Sequence, residues 1–294
     1  MFKKKLVTYL LWLFGGIFGL HHVYLGRYKH AFVWYSTFGG FLIGFLNDLT
    51  RVSDYIDYAN NEEEHFSFLL KLMNRLKTPS FFSLYRVFGS LFTGSLYGYI
   101  LQYSIPLDYE DKFPYIYYSF YFLAPLACAI GVYLVNTESY IKCNFFWPVL
   151  GSYIGAIPHL YHHPKGMVFC AIASTIITNW KLEWNNNKIL SVKEKKSINK
   201  KSLFNKQIII LILCASLYTC AATSFFIHNA TVTVEGETVT VKQGIINFFN
   251  SKTYENLKAA FVRLWYVYKM YGFQRIKDEL FYGDAHKLAQ AYTV

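Results

Sequence analysis

The densest group of potential metal ligands in the sequence is a histidine box, which reads His159-Leu160-Tyr161-His162-His163. Imidazoles at this spacing can converge on a metal ion. A two-iron centre needs several such boxes, however, and the nine histidines of the chain form no second one. We therefore interpret the box as interfacial histidines near a turn, and we predict no metal ligands, no cofactor and no cofactor-binding residues.

Motifs of other chemistry are also missing from the sequence. It contains no G-x-S-x-G, no P-loop and no dinucleotide-binding glycine fingerprint. The five cysteines are odd in number, form no C-x-x-C and lie within or beside apolar segments. They are expected to be core residues rather than a disulfide framework or a zinc site. The sequence therefore predicts no catalytic residues and a protein that is not an enzyme.

The composition indicates a membrane protein. Of 294 residues, 54% are hydrophobic and 16% are charged, whereas soluble domains have roughly 25% charged residues. The net charge is +11, and the loop Lys181–Lys206 supplies much of it through eight lysines against two glutamates. No basic–aromatic interleaving or groove-reading helix accompanies this loop, which is typical of a solvated loop beside a membrane. The expected partner is the lipid bilayer, with no nucleic acid.

Stretches without Asp, Glu, Lys or Arg mark the predicted membrane helices. A bilayer core about 30 Å thick needs roughly 20 apolar helical residues. The stretches are 6–26, 30–47, 87–107, 113–137, 143–164, 166–180 and 207–234. We predict seven spans, with six as the alternative, because 166–180 is short. Either its flanking lysines snorkel and extend it, or it is re-entrant.

Glycine pairs indicate how these helices meet. G-x-x-x-G occurs at Gly15/Gly19, Gly40/Gly44, Gly94/Gly98 and Gly151/Gly155. Each pair leaves a flat strip on one helix face where a second backbone can approach closely. The repetition favours a compact bundle.

The predicted fold is an all-α polytopic membrane protein of about seven transmembrane helices with a small C-terminal soluble tail. A β-hairpin over 232–241 and an amphipathic helix from Leu257 to Leu280 form that tail. The predicted segments are a two-helix domain at 1–51, a polar loop at 52–80, helices three to six at 81–180, a Lys-rich loop at 181–206, a last helix at 207–228 and the tail at 229–294.

A glycine-rich motif spans the first two predicted helices. Its residues are Gly15, Gly16, Gly19, His21, Tyr24, Leu25, Gly26, Arg27, Gly39, Gly40, Gly44 and Asp48. In order and spacing, residues 5–51 resemble the two-helix transmembrane domain family. His22 stands where many members carry Arg, and Ala31 stands where Gly is common. The resemblance implies an antiparallel hairpin, with Tyr24 and Arg27 at a tight interfacial turn; an anchored hairpin and a ligand site are the two alternatives for these residues.

The architecture as a whole also resembles the DnaJ homolog subfamily C member 22 family, in which a similar membrane region leads into a J domain. Tyr292-Thr293-Val294 is similar to the opening of that domain's first helix. The resemblance implies a membrane co-chaperone that recruits a heat-shock-cognate ATPase, in clathrin-dependent endocytosis. The sequence has no His-Pro-Asp, and His163-Pro164-Lys165 only approaches it, so this partner requires a J domain beyond Val294. The alternative is a multi-pass scaffold or receptor-like protein without a J domain.

Charge predicts an orientation as well. With seven spans, Lys3–Lys5, the loop Asn47–Ser80 and the loop Lys181–Lys206 share one side, and their positive charge makes it cytoplasmic. The tail would then face the opposite side. A J domain that serves a cytosolic chaperone implies a cytosolic tail, so the two expectations conflict and the orientation stays open at the level of sequence.

Overall fold

The computed structural model describes residues 2–60, 63–76, 79, 83–106, 109–137, 140–160, 165–185, 200–234 and 237–250, and then 252, 254–256, 258–259, 262 and 265. The chain divides into two compact units, Met1–Phe226 and Ile227–Val294. Most of the described secondary-structure elements are helices.

The described helices are numbered in chain order. They are α1 Lys5–Gly15, α2 Leu20–Leu25, α3 Tyr28–Ser36, α4 Phe38–Phe41, α5 Ile43–Asn60, α6 Glu63–Arg75, α7 Leu84–Gln102, α8 Tyr109–Lys112, α9 Pro114–Asn136, α10 Phe146–Ile154, α11 Ile157–Leu160, α12 Gly166–Trp180, α13 Lys200–Asn229 and α14 Val241–Phe249. The strands are β1 Ile141–Lys142, β2 Glu183–Trp184, β3 Thr231–Val234 and β4 Glu237–Thr240. A 3₁₀ turn, Gly16–Phe18, follows α1.

The chain folds back sharply after α1. Gly19 has a φ of 75°, a left-handed conformation that favours glycine, and a Cβ there would lie 2.9 Å from the Ala31 carbonyl oxygen. Beyond this turn α2 runs back along α1, so that the Lys4 amide donates to the Tyr24 hydroxyl over 3.2 Å. The predicted single span over 6–26 is therefore two short antiparallel helices, because glycine permits a turn inside the apolar stretch.

A second turn, Phe38–Leu42, joins α3 to α5. All five of its residues have positive φ, and three of them are not glycine, which is a strained conformation for L-residues. Beyond the turn, the Trp12 indole donates to the Phe45 carbonyl oxygen over 3.0 Å. At the far end of α5, the Asn60 side chain makes two hydrogen bonds with the Lys3 backbone, at 2.7 and 3.0 Å. Both fold-backs therefore start and finish at the same end of the first unit.

Close backbone contacts hold α7, α9, α10 and α12 together. A Cβ at Gly94 of α7 would lie 3.2 Å from the Cys128 carbonyl oxygen of α9, and one at Gly155 would lie 2.4 Å from that of Phe169 in α12. These glycines belong to two of the predicted G-x-x-x-G pairs. Helices in lipid gain from such contacts because no hydrophobic effect drives them together.

The segment from α10 to α12 is a helical hairpin closed by a short ladder. Residues 141–142 pair with residues 183–184 as antiparallel strands. The chain therefore enters and leaves this hairpin at one end. Near the other end, a Cβ at Gly166 would lie 2.6 Å from the Cα of His159, so α11 and the start of α12 pack closely.

The outer surface of the first unit is strongly apolar. Phe14 of α1 is 83% exposed, Phe92 of α7 is 59% exposed and Leu217 of α13 is 72% exposed, a pattern typical of a membrane-facing surface. Two of the described helices are long and apolar enough to cross a membrane, over Pro114–Asn136 and Lys206–Asn229. The mostly helical membrane class predicted from sequence agrees with this structure, and the number of seven spans stays a prediction.

The second unit contains β3, β4 and α14. The two strands pair antiparallel, from Thr231 with Thr240 to Val234 with Glu237. The amide of Val241, at the start of α14, donates to the Ala230 carbonyl oxygen over 2.9 Å. Most of the predicted amphipathic helix lies outside the described residues, as does Tyr292-Thr293-Val294.

Candidate functional site: a buried polar cluster and an interhelical cavity

Three polar side chains meet in the interior of the N-terminal region. His21 and His22 lie on α2 and Asp48 lies on α5, and the three are at most 1% exposed. Nε2 of His21 is 3.0 Å from Oδ2 of Asp48, within hydrogen-bonding distance. Nε2 of His22 is 3.3 Å from the same oxygen, outside hydrogen-bond geometry. We call these three residues the polar cluster.

Aromatic and basic side chains surround the polar cluster. The Tyr55 hydroxyl donates to the second Asp48 oxygen over 3.2 Å. Burial raises the pKa of Tyr55 to about 12, so this hydroxyl stays protonated and remains a donor. The Arg27 guanidinium lies 3.7 Å above the Tyr55 ring, and the Trp34 ring packs edge-on against His22 at 4.8 Å. The cluster is thus surrounded by rings, with Arg27 and Arg51 both over the Tyr55 ring.

Local sequence explains why these residues meet. The left-handed Gly19 starts α2 and Gly26, with a φ of 77°, ends it, so α2 is a short segment aimed back along α1. Leu25 of α2 packs against Val52 and Ile56 of α5. This apolar contact sets α2 beside α5 at the level of the polar cluster, and it follows from the glycine positions rather than from helix propensity.

The polar cluster has the donor set of a small metal-binding site. Its ligand atoms, one from each residue, all lie within 4.8 Å of one another, and imidazole with carboxylate suits zinc and similar ions. Both Nδ1 atoms and Nε2 of His22 have no hydrogen-bond partner among the described residues. The prediction of no metal ligands overlooked this convergence, because α2 and α5 are remote in sequence.

The predicted motif residues fall into three groups in the structure. Left-handed turns use Gly19, Gly26, Gly39 and Gly40. Close packing uses Gly15, Gly16 and Gly44, whose added Cβ atoms would lie within 3 Å of Leu20, Phe45 and Trp34. The end of α2 and the polar cluster use Tyr24, Leu25, Arg27, His21 and Asp48. The motif did not point to His22, Trp34 or Tyr55; the departure from Arg at position 22 was the one signal.

His159 is the one histidine of the box within the described residues, and it packs against α9. His159 is buried, its ring stacks on Tyr121 at 3.9 Å, and its Nε2 lies 3.1 Å from the Tyr121 carbonyl oxygen. The Tyr121 hydroxyl donates in turn to the His159 carbonyl oxygen. This pair joins α9 to α11. Residues 161–164, with the other two histidines of the box, lie outside the described residues.

A cavity of about 680 Å³ lies between α3, α7, α9 and α13. Arg27, Lys29, Thr137 and Gln207 line one end of it, and side chains such as Ile100, Leu101 and Ala221 line the other. Across it, the Tyr218 hydroxyl donates to the Ser36 carbonyl oxygen over 2.6 Å. The cavity is therefore amphipathic, with a basic end and a long apolar remainder.

Comparison with known proteins identifies the N-terminal region. The family model described as the TM2 domain matches residues 1–50. Residues 1–50 are therefore similar to the TM2 domain, and we call them the TM2 domain below. A TM2 domain-containing protein of Dictyostelium discoideum is 40% identical over 58 residues, which are 20% of this chain and 38% of that protein. A second one from the same organism is 38% identical over 61 residues, 21% of this chain and 38% of that protein.

Similarity beyond the TM2 domain is weaker. A TM2 domain-containing protein of Caenorhabditis elegans is 23% identical over 234 residues, which are 74% of this chain and 54% of that protein. The chain thus spans 38% to 54% of the length of these curated relatives. No solved structure matches the chain.

These comparisons overturn the resemblance to the DnaJ homolog subfamily C member 22 family. The matching relatives carry the name TM2 domain-containing protein, over the TM2 domain and also over most of the chain. The expected co-chaperone function, with its J domain and role in endocytosis, was therefore wrong. Its C-terminal support was the three residues Tyr292-Thr293-Val294, which is too little sequence to identify a domain. The heat-shock-cognate ATPase is not proposed as a partner.

Proposed function

We propose that this TM2 domain-containing chain is a multi-pass membrane scaffold rather than an enzyme, with the lipid bilayer as its first partner. One observation carries the proposal. Lysines and arginines collect at one end of the first unit, while the flanks between the ends are apolar and exposed. A chain with that distribution is stable when the flanks face hydrocarbon and the basic end faces water.

Contacts define the basic end. Lys3 and Arg27 both belong to it, because Lys3 stacks on Tyr24 at 4.4 Å and the Lys3 backbone bonds Asn60. Lys29 reaches the end of α9, where its Nζ donates to the Tyr133 hydroxyl over 2.8 Å. The β1–β2 ladder, with Lys142, follows α9 directly. By the positive-inside rule this end is cytoplasmic.

The opposite end carries the turn between α7 and α9. That turn contains Glu110, Asp111 and Lys112 on α8, and the Tyr118 hydroxyl donates to Glu110 over 3.1 Å. Since α7 leaves the basic end and α9 returns to it, the two helices cross the membrane as a pair. Asp and Glu contribute little to orientation, whereas the scarcity of Lys and Arg in this turn agrees with a non-cytoplasmic location.

Five crossings follow from this arrangement: α7, α9, the α10–α11 segment, α12 and α13. The two halves of the α10–α12 hairpin are short, since the 15 residues of α12 rise about 22 Å, and local thinning of the bilayer accommodates them. Lys165 at its tip reaches the far interface. The TM2 domain, by contrast, enters from the basic end and returns to it without crossing.

Labelling of single introduced cysteines in sealed, oriented vesicles tests this topology. A membrane-impermeant maleimide should label Lys3→Cys, Lys29→Cys and Lys142→Cys from one side and Asp111→Cys from the other. Wild type is the control, because its exposed cysteines, Cys214 and Cys220, lie within the α13 span. Labelling of Lys29→Cys from the side of Asp111→Cys would show that the TM2 domain crosses twice and would refute the proposed insertion.

A further inference from the structure

The cavity between α3, α7, α9 and α13 has the dimensions of a lipid site. Its volume of about 680 Å³ falls within the roughly 300–1,000 Å³ of small-ligand sites. Along α13 its lining runs from Gln207 to Ala221. Fourteen residues of helix rise about 21 Å, which exceeds the depth of one leaflet, half of about 30 Å. An acyl chain fits such a slot lengthwise.

The polar end of the cavity is cationic. Arg27 and Lys29 line it, and the described lining residues include no Asp or Glu. Lys29 is exposed and uses one of its three donors on the Tyr133 hydroxyl. An amphiphile that enters with its chain between the helices would therefore place its headgroup against two positive charges.

Arg27 supplies a second, independent observation. Its Nη1 atom is buried and has no hydrogen-bond partner among the described residues. A buried donor without an acceptor is costly, and more so when it is charged. The guanidinium lies over the Tyr55 ring at 3.7 Å, and the half-buried Arg27 side chain also lines the cavity. Phosphate oxygens are strong acceptors for such a group.

We propose that this cavity binds one anionic phospholipid, with its phosphate on Arg27 and Lys29 and an acyl chain between α9 and α13. The proposal rests on the membrane topology above, which places the headgroup at the cytoplasmic end. Anionic lipids are concentrated in that leaflet. The bound lipid joins the TM2 domain to the helices behind it, because α3 forms one wall of the cavity and α9 and α13 form others.

Native mass spectrometry of the full chain, released from vesicles of phosphatidylserine and phosphatidylcholine, tests the proposal. Wild type should retain one phosphatidylserine through detergent exchange. Retention should fall by about tenfold for Lys29→Gln, which corresponds to ~1.4 kcal/mol. It should fall further when Arg27→Gln is combined with Lys29→Gln. Lys142→Gln, which removes an exposed lysine of β1 outside the cavity, should retain the lipid as wild type does.

A variant of the apolar wall tests the binding of the acyl chain separately from the binding of the headgroup by the two cations. Cys214→Trp fills the space beside α13 and leaves both cations in place, so it should also lose the lipid. Millimolar inorganic phosphate should leave the lipid bound to wild type, and release by phosphate alone would overturn the acyl-chain part of the proposal. Equal retention of phosphatidylcholine, or unchanged retention in the charge and Trp variants, would overturn the site.

Carbonate extraction of the same preparations distinguishes failure of the site from failure of the proposed function. A chain that stays in the membrane pellet but keeps no phosphatidylserine refutes the lipid site alone. A chain that passes into the aqueous supernatant refutes the membrane scaffold and the lipid site together.

Discussion

The TM2 domain and the α10–α12 hairpin are two ways of folding an apolar chain back on itself. The tips of the TM2 fold-backs are apolar: Phe18 is 51% exposed and Phe38 is 64% exposed. The tip of the α10–α12 hairpin ends in Lys165, next to the histidines of the box. An apolar tip is stable inside hydrocarbon, whereas a charged tip is stable at an interface. We therefore expect tip composition, rather than total hydrophobicity, to decide how deep each hairpin inserts.

The interiors of the two hairpins differ as well. The TM2 domain is held by the hydrogen-bonded polar cluster, with a close backbone approach where Gly19 meets Ala31. The α10–α12 hairpin is held by glycines that bring backbones together, and the Ser174 hydroxyl of α12 adds one hydrogen bond to the Pro148 carbonyl oxygen of α10 over 2.8 Å. Three comparisons of variants test whether the two hairpins are as different as the structure indicates.

Removal of the Asp48 carboxylate should have the largest effect. Asp48→Ala leaves the buried His21 imidazole and the Tyr55 hydroxyl without the carboxylate that they both bond, and breaking a buried pair costs ~3–5 kcal/mol. Thermal unfolding in detergent should show a clear loss of stability. Asp54→Ala, on an exposed position of the same helix, is the matched control and should unfold like wild type. Similar unfolding of both variants would mean that the polar cluster does not hold the TM2 domain.

A lysine introduced at either tip should give the next largest effect, and the loss of membrane insertion should differ between the two hairpins. Phe18→Lys places an ammonium at the apolar tip, where translocon scales assign about 2.5–3.5 kcal/mol to a lysine at the bilayer centre. Leu160→Lys adds the same charge near the polar tip and should be tolerated. The fraction of protein recovered in carbonate-washed membranes measures the difference. Tolerance of both lysines would place the two tips at equal depth.

A methyl group between α10 and α12 should have the smallest effect of the three. Gly155→Ala would put a Cβ 2.4 Å from a backbone oxygen, which cannot move aside, and overpacking typically costs ~1–3 kcal/mol. Gly89→Ala on α7 is the control, because its Cβ would meet a side-chain methyl of Val135 at 3.3 Å. Gly155→Ala should be less stable than Gly89→Ala towards thermal unfolding in detergent. The reverse order would contradict close backbone packing in this hairpin.

The sequence predicts the long helices better than the folded-back ones. The stretches 87–107, 113–137 and 207–234 contain most of α7, α9 and α13, because an uninterrupted apolar run of that length has few alternatives to a helix. It did not predict the break at Gly19, since a glycine inside an apolar run is equally compatible with a continuous helix. The left-handed conformation there depends on packing against Ala31, which sequence spacing does not reveal.

The candidate sites depend even more on distant contacts. The motif contained His21 and Asp48, but the pairing with His22 requires α2 to turn back towards α5. The cavity joins Arg27 to Gln207, which are far apart in sequence, so no local pattern marks it. The mistaken J domain shows the opposite error, in which a local pattern of three residues was read as a domain without any contact to support it.

The β1–β2 ladder has a consequence for the order of assembly. It closes the α10–α12 hairpin through residues that flank it directly, so this pair of helices can complete its contacts before α13 is in place. Loops closed locally cost little entropy and form early, whereas walls built from distant segments form late. During synthesis the hairpin is therefore expected to be a finished insertion unit, and the cavity is finished when α13 arrives to form its last wall.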